Sequence, residues 1–223
     1  MLHIRLSRIA ADPPGLDDLV AYLKREARQA VEFLPGSLGS SVLADRAEGA
    51  ALFGSLWASS EAMSASEETE APLRAELAKR AGTPVAVEDY QVPISVIFDY
   101  AILLLGGQAV RLTRIQVKPS QVDDVIEVVG DEVVPSLSEA AGFRAALLFA
   151  DPASGRMISE TIWRDPRARA AAPSVAAIIR REFPDEAGSD IAGFLDEGGA
   201  EICGVADYSL VFSSMRDPDI DIA

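Results

Sequence analysis

Cysteine and histidine are almost missing from this chain of 223 residues: Cys203 and His3 are the single examples of each. One cysteine cannot close an internal disulfide, so nothing in the chain calls for an oxidising compartment. One histidine near the N-terminus cannot supply a multi-imidazole zinc site, and a Ser-His-Asp triad would have to be built on it alone. Positive charge is also scarce. Twenty Lys and Arg face 35 Asp and Glu, a net charge of −15, which repels phosphate backbones and anionic headgroups; neither nucleic acid nor membrane is an expected partner. Long apolar runs are absent. A run such as Ala101 to Leu105 falls far short of the roughly 20 residues of a membrane span. Residues Met1 to Asp12 carry Arg5 and Arg8 in an alternating pattern and not the apolar core of a signal peptide, so a cytoplasmic location is expected.

What the sequence does contain is an internal repeat. Arg5-Leu6-Ser7-Arg8-Ile9 returns 106 residues later as Arg111-Leu112-Thr113-Arg114-Ile115. The same offset carries Asp17-Asp18 onto Asp123-Asp124, Gly36 onto Gly142, Ala44-Asp45 onto Ala150-Asp151, Gly49 onto Gly155 and Trp57 onto Trp163. It continues through Arg74 onto Arg180 and Ala81-Gly82 onto Ala187-Gly188. The second copy then reads as about eight residues longer, so that Ser95 to Phe98 aligns with Ser209 to Phe212. Two units follow, 1–105 and 106–223, each of small-domain size.

Each copy reads in the same order. Ile4 and Leu6, like Val110 and Leu112, alternate with polar residues, the period-2 mark of an opening strand. Leu16, Leu19, Val20, Leu23, Ala27, Ala30, Val31 and Leu34 form a helical stripe, repeated by Val122, Val125, Val128, Val129, Val133 and Leu137, where Gly130 and Pro135 weaken or shorten the helix. Two β-like runs follow each of Gly36 and Gly142, joined by polar turns ending in Gly49 and Gly155. Second helices are predicted over Glu61 to Arg80 and Arg167 to Phe183, with Pro72 and Pro173 bending or restarting them. Last strands run Val85 to Phe98 and Glu201 to Phe212. Gly106-Gly107 reads as a flexible joint, and Cys203 as a small buried hydrophobe. The order β-α-β-β-α-β, twice, is the α+β ferredoxin-like arrangement.

A strand ending in Trp that runs straight into a helix, Trp57-Ala58-Ser59-Ser60-Glu61-Ala62 and Trp163-Arg164-Asp165-Pro166-Arg167-Ala168, resembles the antibiotic biosynthesis monooxygenase domains of the dimeric α+β barrel superfamily, here in tandem over nearly the whole chain. The resemblance implies that the two units close one barrel within the chain, giving a monomer with an internal pseudo-twofold or a homodimer. It also implies a ligand cavity between sheet and helices, lined by the first strand, the Trp-bearing strand and the second helix. The residues this picks out are Arg5, Ser7, Ser55 and Trp57 in one copy and Arg111, Thr113, Thr161 and Trp163 in the other. Haem-degrading relatives carry an iron-ligating histidine where Ser66 and Ala172 stand, so that chemistry is not expected, and neither a metal nor another cofactor is.

The implied activity is a cofactor-free monooxygenase acting on a quinol or polyketide-like substrate, or else a non-catalytic barrel that binds a small aromatic or hydrophobic molecule or serves a structural or stress-related role. An oxygenase of this kind needs a substrate anion held in a dry pocket. Arg5, Arg8, Arg111 and Arg114 can stabilise such an anion or pair with carboxylates on neighbouring strands. Trp57 and Trp163 can stack on a planar ligand or pack the core. No acid, base or nucleophile stands out as catalytic. Ser55, Ser59, Ser60, Ser64 and Ser66 surround the first Trp, whereas Glu160, Arg164, Asp165, Arg167 and Arg169 surround the second, so at most one unit is expected to hold a ligand. The stretch Asp185 to Gly199 is a candidate lid or a surface excursion.

Overall fold

The computed structural model describes residues 1–173 and 200–216. The opening alternation becomes β1 (Leu2–Ala10), and Pro13 and Pro14, whose fixed φ suits a first helical turn, start α1 (Pro13–Tyr22). A π-helical turn, Leu23–Ala27, carries the chain into α2 (Arg28–Glu32). The hairpin strands are β2 (Ser37–Asp45) and β3 (Ala50–Trp57), and the second helix is split into α3 (Ser60–Ala65) and α4 (Glu67–Ala81). Then come β4 (Ala86–Ile97), a short helix α5 (Tyr100–Leu104) and β5 (Ala109–Val117). A 3-10 turn, Pro119–Gln121, leads to α6 (Val122–Val128), a second π-helical turn Val129–Val133, and α7 (Val134–Ser138). The remaining elements are β6 (Phe143–Asp151), β7 (Arg156–Trp163), α8 (Pro166–Ala171) and β8 (Ala200–Ser213). The strands hydrogen-bond in the order β1-β3-β2-β8-β5-β7-β6-β4 and close as an antiparallel barrel, the α+β arrangement expected from the sequence.

Two compact units divide this chain, and neither is contiguous. Unit 1 takes Met1–Val92, Asp99–Gln108 and Tyr208–Ala223; unit 2 takes Pro93–Phe98 and Ala109–Asp207. The last strand of each copy, β4 and β8, is thus shared lengthwise. Within unit 1, the end of β8 pairs with β2, Val42 opposite Phe212 and Leu43 opposite Leu210, while the start of β4 pairs with β1.

The core of unit 1 joins Leu16, Leu19, Leu23, Ala27 and Val31 of the first helix to Phe53 and Trp57 of β3 and Met63 and Leu77 of the second. Unit 2 repeats this with Val122, Val125, Val129, Val133 and Leu137 against Met157 and Trp163. Full burial of each such side chain stabilises the fold by roughly 1.5–3 kcal/mol. Both tryptophans are therefore core residues, fully enclosed in their clusters.

Several expectations need correction. Helix α4 runs through Pro72, and the break falls at Ser66, whose hydroxyl lies 2.7 Å from the Met63 carbonyl and competes for the backbone there. Pro135 does not end the first helix of unit 2, because it sits in the first turn of α7, where its missing N–H costs little. Gly106-Gly107 is no loose joint: both residues have positive φ, and the Gly107 N–H donates to the Leu210 carbonyl at 2.7 Å. Cys203 is exposed, not buried. The remainder of the second helix expected up to Phe183 and the stretch Asp185 to Gly199 lie outside the described residues.

Candidate functional site

The face of β3 that carries Ser55 and Trp57 meets helices α3 and α4, and the register of β1 sets Arg5 between Ser55 of β3 on one side and Asp89 of β4 on the other. Arg5 is 5% exposed. A buried guanidinium must be neutralised, and here it is bidentate on Asp89, Nε to Oδ1 at 2.8 Å and Nη2 to Oδ2 at 2.9 Å. Its third nitrogen, Nη1, lies 2.9 Å from Glu67 Oε2, 3.9 Å from Glu70 Oε1 and 3.4 Å from Ser66 Oγ. The Asp89 hydrogen bonds push the Arg5 pKa up against the opposing effect of burial.

Glu70 is the centre of this cluster. It is 2% exposed, on α4, beneath the strand. Its Oε1 accepts from Ser55 Oγ at 3.1 Å and lies 2.9 Å from Ser66 Oγ, while Ser55 in turn accepts the Trp57 indole N–H at 3.1 Å. Arg74 stands 3.6 Å from its other oxygen and also pairs with Glu67. Burial raises the Glu70 pKa; Arg5, the two serine hydroxyls and Arg74 pull it back. The helix-facing groove of unit 1 is therefore filled by a carboxylate of the protein itself. Sequence reading missed Glu70, because the break at Ser66 between α3 and α4 sets which face of the second helix meets the strand.

Unit 2 starts from the same layout. Trp163 donates its indole N–H to Thr161 Oγ1 at 3.0 Å, and Arg111 lies across from Thr161 in the strand register. Arg111 is bidentate on Asp207, at 2.9 and 3.3 Å, as Arg5 is on Asp89. The buried tyrosines that follow, Tyr90 and Tyr208, confirm that Asp89-Tyr90 and Asp207-Tyr208 correspond, a spacing of 118 residues. The second copy is thus twelve residues longer, not eight, and the last strands align on this pair.

Beyond Asp207, however, the two sites diverge. Under the 106-residue offset, Met63 becomes Arg169, Ser66 becomes Ala172 and Glu67 becomes Pro173. Arg169 brings a second guanidinium to the same carboxylate, 3.1 Å from Asp207 Oδ2. Among the described residues, Arg111 has no second carboxylate, and the Thr161 hydroxyl accepts from Trp163 without an acceptor for its own proton. Arg111 keeps 27% of its side chain exposed, against 6% for Arg5.

Of the remaining predicted residues, Ser7 is buried opposite Phe53 with no hydrogen-bond partner for its hydroxyl, and Thr113 is buried opposite Ser159. The opposite face of β7 holds one more titratable group. Glu160 is 6% exposed, across from Leu112 and Leu147, and burial alone raises its pKa to about 7. Among the described residues, no three His, Cys, Asp or Glu side chains group in a way that could hold a metal ion. No described helix is long and apolar enough to cross a membrane.

No family model matches the sequence. Two Mycobacterium tuberculosis proteins do. The uncharacterized protein Rv2557 is 31% identical over 159 residues, 71% of this chain and 70% of its own length. The uncharacterized protein Rv2558 is 29% identical over 226 residues, 99% of this chain and 88% of its own. Among solved structures, a candidate monooxygenase from Lactobacillus acidophilus superposes with a TM-score of 0.65 at 12% identity, covering 97% of this chain and 99% of that one. An anthrone oxidase-like protein superposes with a TM-score of 0.63 at 15% identity, covering 100% and 96%. At such identities the likeness is one of fold, and it is the fold that the Trp-to-helix pattern implied. The chain belongs to the family of the Mycobacterium tuberculosis protein Rv2557, and it shares its barrel fold with the Lactobacillus acidophilus candidate monooxygenase and the anthrone oxidase-like protein.

Proposed function

We propose that this protein binds a small aromatic or hydrophobic molecule in unit 2, at the groove that carries Arg111 and Thr161, and that unit 1 has lost that capacity. The observation that supports this reading is the difference between two matched grooves. In unit 1, Glu70 occupies the space and accepts from Ser55; in unit 2, no described residue accepts from the Thr161 hydroxyl, and among the described residues Arg111 pairs with Asp207 alone.

Catalysis is the finer question. The anthrone oxidase-like neighbour favours a cofactor-independent oxygenase acting on a phenol or quinol. Such an enzyme needs a group to take the substrate proton. Among the described residues the carboxylate at Arg111 is Asp207, and both of its oxygens are engaged by guanidinium groups, Oδ1 by Arg111 and Oδ2 by Arg111 and Arg169. Binding without turnover is the reading this arrangement favours.

The two indole N–H groups give separate reporters, since each donates to the hydroxyl of its own unit. Titration of labelled protein with anthrone or 1-naphthol, followed by proton-nitrogen correlation spectra, is expected to move the Trp163 indole signal and leave that of Trp57 in place. Movement of neither signal, or of both alike, would overturn the assignment to unit 2. Oxygen uptake on anthrone that disappears in Arg111→Gln would make the protein an oxygenase; ligand-induced shifts with no uptake make it a binding protein.

A further inference from the structure

We propose that the groove between the first helix of unit 1 and α4 is a second binding site, and that it takes a small zwitterion, an α-amino acid with an apolar side chain. The lining residues fall between Asp18 and Ala30 on one wall and between Leu73 and Arg80 on the other. None of them belongs to the cluster around Arg5 and Glu70. The cavity they enclose, about 660 Å³, is of the size that small-molecule sites have.

The backbone sets up the first wall. Asp18, Tyr22, Glu26 and Ala30 are four apart, the row beside the core stripe of Leu19, Leu23, Ala27 and Val31. A plain α-helix would carry both rows round its axis, and the π-helical turn Leu23–Ala27 keeps them in line. Arg25 stands in the same turn as Glu26, and both line the groove. Tyr22 is the fixed part of the site. It is 8% exposed, its ring is held beneath the Arg80 guanidinium at 4.5 Å, and its hydroxyl has no hydrogen-bond partner among the described residues. Burial first, then Glu76 and Glu26, push its pKa up against the pull of Arg80, so the hydroxyl is neutral at pH 7 and within electrostatic reach of both carboxylates.

Arg80 and Glu76 answer each other at 2.8 Å. The charges that remain in the groove are Arg25 on one side and Asp18 and Glu26 on the other, and among the described residues none of the three has an ion-pair partner. A ligand that is only an anion meets two carboxylates, and one that is only a cation leaves the guanidinium unanswered. An ammonium and a carboxylate on one small molecule answer both. Arg25 supplies donors for the carboxylate; Glu26 and the Tyr22 hydroxyl oxygen supply acceptors for the ammonium; Leu73 and Ala30 offer apolar surface to a side chain. The fold does not require this set. Under the 106-residue offset Ala21, Tyr22 and Arg25 become Glu127, Val128 and Asp131, which removes both the hydroxyl and the cation from the second copy.

Calorimetric titration of the full chain at pH 7 with L-leucine, L-leucinamide and N-acetyl-L-leucine tests this, since the amide lacks the carboxylate and the acetyl compound lacks the ammonium. Leucine is expected to bind once per chain and at least about tenfold more tightly than either blocked form, the size of one charge-assisted hydrogen bond. Arg25→Gln is expected to remove its advantage over leucinamide and keep that over N-acetyl-leucine; Glu26→Gln is expected to do the reverse. Both side chains are exposed, so the melting temperatures of the variants are expected to match that of the natural protein. Equal affinity for the three compounds, preferences that survive both variants, or no binding of leucine would each overturn the proposal. Movement of the Trp163 indole signal by leucine would place the ligand in unit 2 and overturn it as well, while a failure of the unit 2 site leaves this groove unaffected.

Discussion

A carboxyl buried without a partner holds its proton. Glu160 lies between Leu112 and Leu147 with no hydrogen bond or ion pair among the described residues, and burial raises its pKa from 4.5 to about 7. The folded state binds that proton more tightly than the unfolded state, so the stability it confers is complete below about pH 4.5, falls as pH rises, and is gone above about 7. The difference across that window is roughly 3 kcal/mol. Glu160→Gln is expected to flatten the dependence and to raise the urea midpoint at pH 8 above that of the natural protein. An unchanged slope of stability between pH 5 and 8 would show that Glu160 is ionised in the fold. Glu70 differs in having partners. Its removal as Glu70→Ala strands the Ser55 proton and part of the charge of Arg5, at a cost of about 2–4 kcal/mol in urea unfolding, whereas Glu70→Gln keeps an acceptor and costs about 1 kcal/mol. At this scale the sequence was legible in part. Strand alternation put Ser55 and Trp57 on one face, and the family resemblance added Arg5, but which residue fills the space between strand and helix depends on the helix register, and so Glu70 stayed hidden. Cys203 misled for a related reason: residue type alone says nothing of which face of β8 a side chain takes.

Among the elements, the paired π-helical turns are the least expected and the most instructive. They fall at Leu23–Ala27 and Val129–Val133, the same place in each unit. Buried positions there step by four, Leu19, Leu23, Ala27, Val31 and Val125, Val129, Val133, Leu137. At 100° per residue, three such steps carry an α-helix about 120° around its axis, away from the core; one wider turn restores the stripe. Gly130 does not explain the feature, because Leu23–Ala27 contains neither glycine nor proline. The unbroken series of fours, Leu19-Leu23-Ala27-Val31 and Val125-Val129-Val133-Leu137, was the sequence signal. Helix starts were plainer. Ser59 caps α3 by accepting from the Ala62 N–H at 3.2 Å, and Asp165 caps α8 by accepting from that of Ala168 at 2.7 Å. The neighbouring Gly36 and Gly142 have positive φ, and an added Cβ would come within 2.6 Å of Ala62 and 2.7 Å of Ala168 respectively. Ser59→Ala and Asp165→Ala are each expected to cost about 1 kcal/mol in thermal or urea unfolding. A cost under a few tenths of that in both would mean that these helix starts are held by packing alone.

Over the whole molecule, the repeat announced two units, and the contacts show that sequence halves and compact units are different divisions. Unit 1 needs Tyr208 onward, where Leu210 and Phe212 lie opposite Leu43 and Val42 and Val211 and Phe212 close its core. Cutting between 105 and 106 therefore removes a strand from the first unit and leaves the exchanged strand end Pro93–Phe98 without its own unit. The fragment 1–105 is expected to lack cooperative unfolding alone and to regain it when mixed with 106–223, as monitored by circular dichroism. A cooperative transition of the isolated fragment would show that the exchange of strand ends is dispensable. No reading of periodicity could have found this exchange, because it is a property of pairing partners and not of local pattern.

The same exchange bears on how the chain is made. Residues leave the ribosome in order, and most domains of this size can fold as soon as their own segment has emerged. Here an earlier segment waits for a much later one: β2 stays an open edge, with its backbone donors exposed to other chains, until residues 208–213 arrive. Unit 1, although it holds the earlier residues, is completed after unit 2. A premature stop near Tyr208 would accordingly disable the unit whose synthesis starts the earlier of the two.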